Sequence, residues 1–350
     1  MGSQQISGMA QTVLGLVNAD RLGITTTHEH LLIDFSCMFQ LPDNASEIFK
    51  ALQPVKIENL GWAKYNPFRN RDNLLLLDEN LATIEAKKFK LAGGDTIVDA
   101  TTNGIGRDPL ALSRIARATG LNIVMGAGYY VDSVHPVDMG GKTETDLADE
   151  ILSELTEGVG DTGIKAGIIG ELGSSRPLTD KERKVLCGAA AAQSNSGASI
   201  LIHPGRNEAA PIEILKLLRQ SGADLSRVVM GHLDRTVDKI EDILEIADMG
   251  CYLEYDLFGW ETSNYPLSRI DMPSDAQRID FIIKLIDHGY VSKIVLAQDI
   301  CFKLALTRYG GFGYAHIIEN IVPRMKDKGI LQDHIDTMLI ENPKKLLTTF

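Results

Sequence analysis

The most constraining feature of the sequence is the alternation of short apolar runs, rich in β-branched residues, with longer helical patterns. Eight of these runs predict strands, and several helical segments between them end at a glycine, which commonly ends a helix. Eight strands separated by helices favour a closed (β/α)8 TIM barrel of the α/β class over an open sheet. The strands are predicted at residues 24–30, 95–101, 122–129, 163–171, 199–203, 228–232, 251–255 and 293–298, and the helices at 79–91, 109–119, 144–156, 179–194, 210–220, 237–249 and 276–288.

Chain length agrees with one barrel that carries insertions. The 350 residues fall within the span of about 200 to more than 400 residues of such barrels, so we expect residues 1–350 to form a single domain. Residues 35–78 and 256–273 are long for loops between a strand and a helix, and segments of that length often cover active sites. We expect both to lie near the barrel mouth, and packing loops without a function are the alternative.

Composition limits the partners and the compartment. Hydrophobic residues make up 44% of the chain, yet no stretch approaches the roughly 18 uninterrupted apolar residues of a membrane-spanning helix. The 47 acidic and 35 basic residues give a net charge of −12, which would repel nucleic acid because the basic residues form no cluster. The four cysteines form no zinc-finger or disulfide pattern. We therefore expect a cytoplasmic protein that acts on a small molecule and binds neither membrane nor nucleic acid.

Six side chains that can bind metal stand at the carboxyl ends of predicted strands. Two of them form an HxH pair in the first strand, a spacing that places both imidazoles on one face of an extended chain. The carboxyl ends of the strands form the active-site rim of a β/α barrel, so all six should converge. Imidazoles and carboxylates are ligands that zinc and similar divalent ions prefer. The six residues are His28, His30, Glu171, His203, His232 and Asp299.

Six ligands exceed what one tetrahedral ion can use, so the pattern predicts two ions. The alternative is six separate polar residues, each buried and hydrogen-bonded on its own, which would require six independent coincidences at strand ends. The other histidines fall in a loop, on predicted helices or near a helix end, and are interpreted as ordinary. They are His135, His288, His316 and His334.

Motifs spread over nearly the whole chain carry a resemblance to a known family. They are LGLV at 14–17, LGITTTHEH at 22–30, DAT at 99–101, IGRD at 105–108, KAGIIGE at 165–171, GHLDRT at 231–236, VLAQD at 295–299 and NP at 342–343. Together they resemble the phosphotriesterase family of the amidohydrolase superfamily. The resemblance implies that His28, His30 and Asp299 bind the more buried metal ion, and that His203 and His232 bind the more exposed one.

The bridging ligand departs from the pattern of phosphotriesterases proper, in which a carboxylated lysine on the fourth strand joins the two ions. Gly170 corresponds to that lysine, and Glu171 follows it, which resembles the phosphotriesterase-related subgroup with a glutamate bridge. Because residues 170 and 171 face opposite sides of a regular strand, Glu171 can replace the lysine only at a local bulge. Lys165 is the rival bridge, although it lies about 20 Å away along an extended strand.

The resemblance implies a binuclear hydrolase in which a hydroxide bridging two divalent ions, with Zn²⁺ expected first, attacks a lactone, a carboxylic ester or an amide. Asp299 would accept the proton of the nucleophile and deliver it to the leaving group. Tyr130 matches the rim tyrosine of the family, which can contact the substrate, and Arg206 could grip an anionic group. A packing tyrosine and a surface salt bridge are the alternatives for these two residues.

Two other functions stay open at this point. One is a true phosphotriesterase that hydrolyses organophosphates. The other is a non-catalytic, metal-containing binding protein, which is disfavoured because all six metal-site positions keep usable ligands. The sequence does not fix the oligomeric state, and a homodimer is among the expected forms.

Overall fold

The computed structural model describes residues 8–262, 264–268 and 270–349. Residues 1–7 and 350 of the predicted domain, and Ser263 and Arg269 of the predicted insertion at 256–273, lie outside the described residues. The described strands are β1 (Met9–Thr12), β2 (Gly15–Asn18), β3 (Thr25–Glu29), β4 (Ile33–Asp34), β5 (Leu75–Leu76), β6 (Thr96–Asp99), β7 (Asn122–Ala127), β8 (Ile168–Gly173), β9 (Ile200–His203), β10 (Val228–Met230), β11 (Tyr252–Tyr255), β12 (Ile294–Leu296) and β13 (Thr348–Thr349).

Helices follow most of these strands, and short 3₁₀ turns occupy many of the loops. Two five-residue π-helical turns, Ile317–Ile321 and Thr337–Glu341, lead into the helices that come after them. The described α-helices are α1 (Ala45–Ala51), α2 (Leu60–Tyr65), α3 (Glu79–Leu91), α4 (Pro109–Thr119), α5 (Glu144–Thr156), α6 (Asp180–Ser196), α7 (Ala210–Gln220), α8 (Leu233–Thr236), α9 (Ile240–Asp248), α10 (Asp275–Asp287), α11 (Val322–Asp327), α12 (Gln332–Asp336) and α13 (Asn342–Leu347).

Eight strands form one parallel sheet in the order β3-β6-β7-β8-β9-β10-β11-β12. Hydrogen bonds join its two ends, because the Thr27 hydroxyl donates to the Leu296 carbonyl at 3.3 Å and the Asp299 N–H donates to the His28 carbonyl at 3.1 Å. The sheet therefore curves into a barrel with helices between successive strands. The prediction of a (β/α)8 barrel is confirmed.

The barrel strands bury apolar side chains on both faces, as a sheet covered by helices requires. Val98 and Val124 belong to a compact cluster inside the barrel, whereas Ile97 and Ile123, their neighbours in sequence, face the surrounding helices. Ala10 of β1 joins the inner cluster, and β1 pairs with β2 and β13 in a small antiparallel sheet. This sheet covers the amino-terminal end of the barrel, so the carboxyl end is left for a site.

Both predicted insertions leave the barrel near its carboxyl end. Residues 35–78 contain α1 and α2, and β4 and β5 pair antiparallel where this segment leaves the barrel and returns to it. Phe35 and Phe68 of the first insertion, together with Trp260 and Tyr265 of the second, line one cavity with the candidate ligands. Within the described residues, no helix combines the length and the apolar character needed to cross a membrane.

Several predicted boundaries differ from the structure. The fourth barrel strand was expected from residue 163 but begins at Ile168, because Gly163 ends a 3₁₀ turn in the left-handed region, with φ of 65°. His232 was expected at the end of a strand, but β10 ends at Met230 and His232 precedes α8. The helix expected at 237–249 is shorter, because Val237 and Lys239 have extended backbones and α9 spans Ile240–Asp248.

Candidate metal centre

The structure brings all six predicted ligands together at the carboxyl end of the barrel. Each side chain is buried, with Asp299 the most exposed at 9%. They come from five different strands or the loops that follow them, so only barrel closure unites them. The set comprises His28 within β3, His30 directly after it, Glu171 within β8, His203 at the end of β9, His232 two residues after β10 and Asp299 three residues after β12.

Glu171 lies at the centre of the cluster because its two carboxylate oxygens face all four imidazoles. Its Oε2 lies 2.9 Å from His203 Nδ1 and 3.4 Å from both His28 Nε2 and His232 Nε2. Its Oε1 lies 3.2 Å from His30 Nε2. A carboxylate that faces all four imidazoles is placed to share any metal ion that they would bind.

Two buried carboxylates at the end of β11 orient two of the imidazoles. Glu254 Oε2 lies 3.0 Å from His28 Nδ1, and Asp256 Oδ1 lies 2.9 Å from His232 Nδ1. Asp256 Oδ2 also lies 3.2 Å from His28 Nδ1. Burial alone would raise the pKa of Asp256, but the two imidazoles hold it well below its usual range, so this carboxylate accepts hydrogen bonds and each Nδ1 donates its proton. The Nε2 lone pairs of His28 and His232 are therefore directed into the cluster, which is how carboxylates behind metal-binding histidines act.

The other two imidazoles have different partners. His30 Nδ1 lies 2.9 Å from the Thr101 hydroxyl, which itself donates to a backbone carbonyl, so His30 donates through Nδ1 and also directs Nε2 into the cluster. His203 is reversed, since its Nδ1 faces Glu171 while its Nε2 lies 3.1 Å from Arg235 Nη2. A guanidinium only donates, so binding of a metal by His203 Nδ1 requires Arg235 to turn away from Nε2.

Unusual backbone conformations position two of the six residues. His232 and Asp299 have φ values of 53° and 46°, and they are the two non-glycine residues with positive φ in the described part of the chain. Asp256 accepts a hydrogen bond from the His232 N–H at 2.8 Å. Glu29 accepts from the N–H groups on either side of Asp299, at 2.9 and 3.0 Å. Such strain persists only where neighbours hold it, and it clusters at functional sites.

A strand irregularity places Glu171 in the cluster. The register between β8 and β9 shifts between Ile169 and Leu172, which supplies the bulge that the sequence required. Gly170 has φ of 113°, and a Cβ at this position would overlap the Leu201 carbonyl oxygen. The backbone therefore leaves no room for a side chain where phosphotriesterases proper carry their lysine. Lys165 precedes β8 and lies on the amino-terminal side of this strand.

The donor set fits divalent ions. Candidate ligand atoms of His28, His30 and Asp299 lie within 4.8 Å of one another, and so do those of His28, Glu171 and His232. Buried His28 Nε2 has no hydrogen-bond partner. Burial alone would lower the pKa of His30, but Asp299 and Glu171 raise it to about 9. The cluster thus stabilises positive charge, which a bound cation would supply.

A small chamber of about 20 Å³ opens beside the cluster. Tyr130 lies in its wall, with its hydroxyl 3.3 Å from His203 Nδ1, and burial raises the pKa of this phenol well above its usual value. Arg206 also lines the chamber, and its Nε donates to the Tyr265 hydroxyl at 2.8 Å. The alternative for Arg206, a surface salt bridge, is not observed, since its partner is the Tyr265 hydroxyl and no carboxylate among the described residues pairs with it.

Sequence reasoning missed four residues that surround the ligands. Glu254 and Asp256 carried a usable signal, because they alternate at the end of the seventh barrel strand, where polar residues face the active-site rim. Glu29 lies inside the HxH motif but was not assigned a role. Arg235 follows His232 closely in sequence, yet its position against His203 depends on α8, which the sequence did not reveal.

Comparison with known proteins identifies relatives over almost the full chain. A family model described as the phosphotriesterase family matches residues 8–347. The N-acetyltaurine hydrolase of Salmo salar is 48% identical over 345 residues, which cover 98% of this chain and 99% of that protein. The N-acetyltaurine hydrolase of Homo sapiens is 45% identical over 98% of this chain and 99% of that protein.

Solved structures agree with this result. A resiniferatoxin-binding protein from Rhodobacter sphaeroides is 37% identical and superposes with a TM-score of 0.94, over 97% of this chain and 95% of that one. A phosphotriesterase homology protein from Escherichia coli, complexed with phosphate in its active site, is 29% identical with a TM-score of 0.78, over 93% and 99%. The family that the motifs predicted is confirmed, and the hydrolase prediction is confirmed with it. This chain belongs to the phosphotriesterase family and is a hydrolase.

Proposed function

We propose that this protein is a binuclear metal-dependent amidase that hydrolyses N-acyl derivatives of a small amino sulfonate, with N-acetyltaurine as the first substrate to test. One observation carries the proposal: two guanidinium groups, those of Arg206 and Arg235, flank the candidate metal ligands without a carboxylate partner within the described residues. Relatives named for this substrate are 45–48% identical over at least 97% of the chain, which supports the same reading.

The two arginines suit an anionic group at one end of the substrate. Arg235 is 2% exposed, and its Nη2 has only His203 Nε2 and the Pro204 carbonyl, at 3.1 and 3.2 Å, as partners. Burial lowers the pKa of this guanidinium, and neighbouring Tyr265 and Asp256 offset the loss of hydration only in part. A sulfonate offers three acceptor oxygens and one negative charge, so it would relieve this unpaired positive charge.

The ligands divide between two ions around the shared carboxylate. His28, His30 and Asp299 would hold one ion, His203 and His232 the other, and Glu171 both. Two divalent ions, with Zn²⁺ the first to test, would supply Lewis acidity toward the amide carbonyl and would lower the pKa of the attacking water. The first set is supported by distance, because ligand atoms of His28, His30 and Asp299 lie within 4.8 Å of one another. The second set follows the family resemblance, and Glu171 Oε2 lies 2.9 Å from His203 Nδ1 and 3.4 Å from His232 Nε2.

Amide hydrolysis needs a proton for the departing amine, and Asp299 is placed to carry it. Its side chain lines the chamber, and its Oδ1 lies 3.3 Å from His30 Nε2. The carboxylate would accept a proton from the attacking water and deliver it to the amide nitrogen as the C–N bond breaks. The products would be the carboxylate of the acyl group and the free amino sulfonate. Tyr130 stays protonated at neutral pH and would donate a hydrogen bond to the substrate.

A lactone is the second candidate substrate. A lactonase-type relative from Deinococcus radiodurans, solved as a mutant, is 26% identical with a TM-score of 0.76. Lactone hydrolysis would use the same metal ligands, but it leaves Arg206 and Arg235 without an anionic partner before the ring opens. The amide with an anionic tail is therefore the better fit.

The test is a substrate panel on one metal-loaded preparation. The panel contains N-acetyltaurine, the neutral analogue N-acetylethanolamine, an aliphatic lactone and a phosphotriester. We expect N-acetyltaurine to have the highest kcat/KM, with the neutral analogue at least about tenfold lower because it lacks the charge-assisted contacts. A higher kcat/KM for the lactone or the phosphotriester would overturn the proposed substrate.

A further inference from the structure

Two cavities lie side by side at the barrel mouth. The chamber beside the metal ligands has a volume of about 20 Å³, whereas its neighbour has about 230 Å³. Trp260 lines both, and no other residue in the described ranges does so. The Trp260 indole is therefore the partition between the catalytic chamber and a larger space.

We propose that Trp260 limits the length of the acyl group that the enzyme accepts, and that the larger cavity receives the alkyl chain of longer N-acyl substrates once this partition is removed. The inference rests on the proposed amide hydrolysis, since it assigns the acyl end of that substrate to the Trp260 side of the chamber.

The positions of the charged residues set the direction of the substrate. Arg206 and Arg235 follow β9 and β10, on one side of the chamber, and would hold the anionic end there. Asp299 and Cys301 follow β12, which β11 separates from β10, and Trp260 follows β11 between them. With the amide carbonyl at the ligands, the acyl group points toward the β12 side, where the larger cavity lies behind Trp260 and is lined by Ile300.

The walls of the larger cavity suit an alkyl chain. Phe258, Phe302 and Leu304 line it and are at most 7% exposed. The ring of Phe302 packs against that of Trp260, with the centroids 4.7 Å apart. An acyl chain that passed this point would bury its methylenes against aromatic and aliphatic carbon, at about fourfold in affinity for each methylene.

The indole can be removed without loss of the backbone that carries it. The Trp260 N–H donates to the Leu257 carbonyl at 3.1 Å, and the Trp260 carbonyl accepts from Arg278 Nη1 at 3.4 Å. Arg278 is itself fixed by Asp234 and Asp275, at 2.8 and 2.9 Å. The buried indole Nε1 has no hydrogen-bond partner, so truncation of the side chain breaks no polar contact of the ring.

The experiment compares N-acetyl-, N-butanoyl-, N-hexanoyl- and N-octanoyltaurine with the wild-type enzyme and Trp260→Ala. We expect wild-type kcat/KM to fall with chain length, and the hexanoyl-to-acetyl ratio to rise about tenfold or more in Trp260→Ala, because four methylenes gain a buried site. The matched control is Leu304→Ala, which enlarges the second cavity but leaves the Trp260 partition in place. Its hexanoyl-to-acetyl ratio of kcat/KM should therefore stay within about twofold of the wild-type ratio. An unchanged ratio in Trp260→Ala would overturn the proposal.

A binding measurement separates this proposal from the proposed function and does not need turnover. Calorimetry measures the dissociation constants of acetate and hexanoate, the acid products of the two substrates. The proteins compared are the wild type, Trp260→Ala and Trp260→Leu. The leucine variant replaces the alanine variant if the latter does not fold. Hexanoate should bind at least about tenfold more tightly to the variants, whereas acetate should not change. Tighter hexanoate binding without N-acetyltaurine turnover would support the partition and overturn the substrate. Unchanged hexanoate affinity would overturn the partition in either case.

Discussion

At the scale of single residues, Glu171 determines the character of the site. Its carboxylate faces four imidazoles in a place where Gly170 leaves no room for a lysine side chain. A glutamate needs no chemical modification to act as the proposed bridge, so the proposed ligand set would be complete as soon as the chain folds. Burial alone would raise the pKa of the Glu171 carboxyl, but the imidazoles of His28 and His203 hold it well below its usual value.

Replacement of Glu171 tests this role. We expect Glu171→Ala to lose bound metal and activity together, because both proposed ions would lose a ligand. Lys165→Ala should keep wild-type metal content and rate, since Lys165 precedes β8 and lies away from the cluster. Metal analysis and an activity assay on the same preparations measure both effects. The reverse pattern, with Lys165 indispensable, would refute the glutamate bridge.

Asp299 has two proposed roles that one substitution can separate. Asp299→Asn keeps the shape of the side chain and one oxygen for the metal but removes the base. Turnover should fall by about 100- to 10,000-fold, the usual contribution of acid–base catalysis, while metal content changes little. Retained metal with a nearly normal rate would show that Asp299 acts as a ligand alone.

Arg206 is expected to recognise the anionic end of the substrate. In Arg206→Gln, KM for N-acetyltaurine should rise roughly 10- to 150-fold, as expected for loss of a hydrogen bond to a charged group. KM for the neutral N-acetylethanolamine should stay the same. Arg176→Gln is the matched control, because Arg176 pairs with Glu213 at the surface. An equal loss for both substrates would argue that Arg206 only supports the structure.

At the scale of elements, the bulge in β8 turns the Glu171 side chain toward the cluster of candidate ligands. Without the register shift between Ile169 and Leu172, residues 170 and 171 would face the sides that strand alternation dictates, and Glu171 would face away from the cluster. Gly170 permits the shift, because its backbone adopts a positive φ and packs directly against the Leu201 carbonyl.

Gly170→Ala therefore should destabilise the fold. The added methyl overlaps backbone, and the left-handed conformation disfavours a side chain, so we expect a loss of roughly 2–5 kcal/mol in the free energy of unfolding. Gly61→Ala is the control, because Gly61 is an exposed residue of α2 with open space around its Cα. Urea denaturation followed by circular dichroism measures both variants. Equal stability of the two would contradict the close packing at position 170.

The sequence predicted regular elements better than the segments that join them to the site. The limits of α4 were predicted correctly, because Pro109 at its start and Gly120 after its end are strong helix signals. The predicted start of β8 was wrong, since the residues that follow Gly163 resemble a strand in their local pattern. The left-handed conformation of His232 could not be predicted either, because no local signal marks a non-glycine residue that tertiary hydrogen bonds hold there.

At the scale of the whole molecule, closure of the barrel brings together six candidate ligands that are far apart in the sequence. The six proposed ligands were predicted from the rule that strand ends meet at one rim, and the structure places them together. The supporting contacts of Arg235 and Asp256 were missed, because they depend on which strands become neighbours and on how loops turn after them. The small antiparallel sheet lies at the other end of the barrel, where Ala10 of β1 joins the inner apolar cluster.

The central claim, hydrolysis that depends on two metal ions, can be tested by one titration. Purified protein is treated with increasing chelator, and the metal content per chain and the rate of N-acetyltaurine hydrolysis are measured on the same samples. We predict close to two divalent ions per chain at the start, a rate that falls as the ions are removed, and recovery when Zn²⁺ is added back. A protein that keeps its full rate with no bound metal would contradict the account.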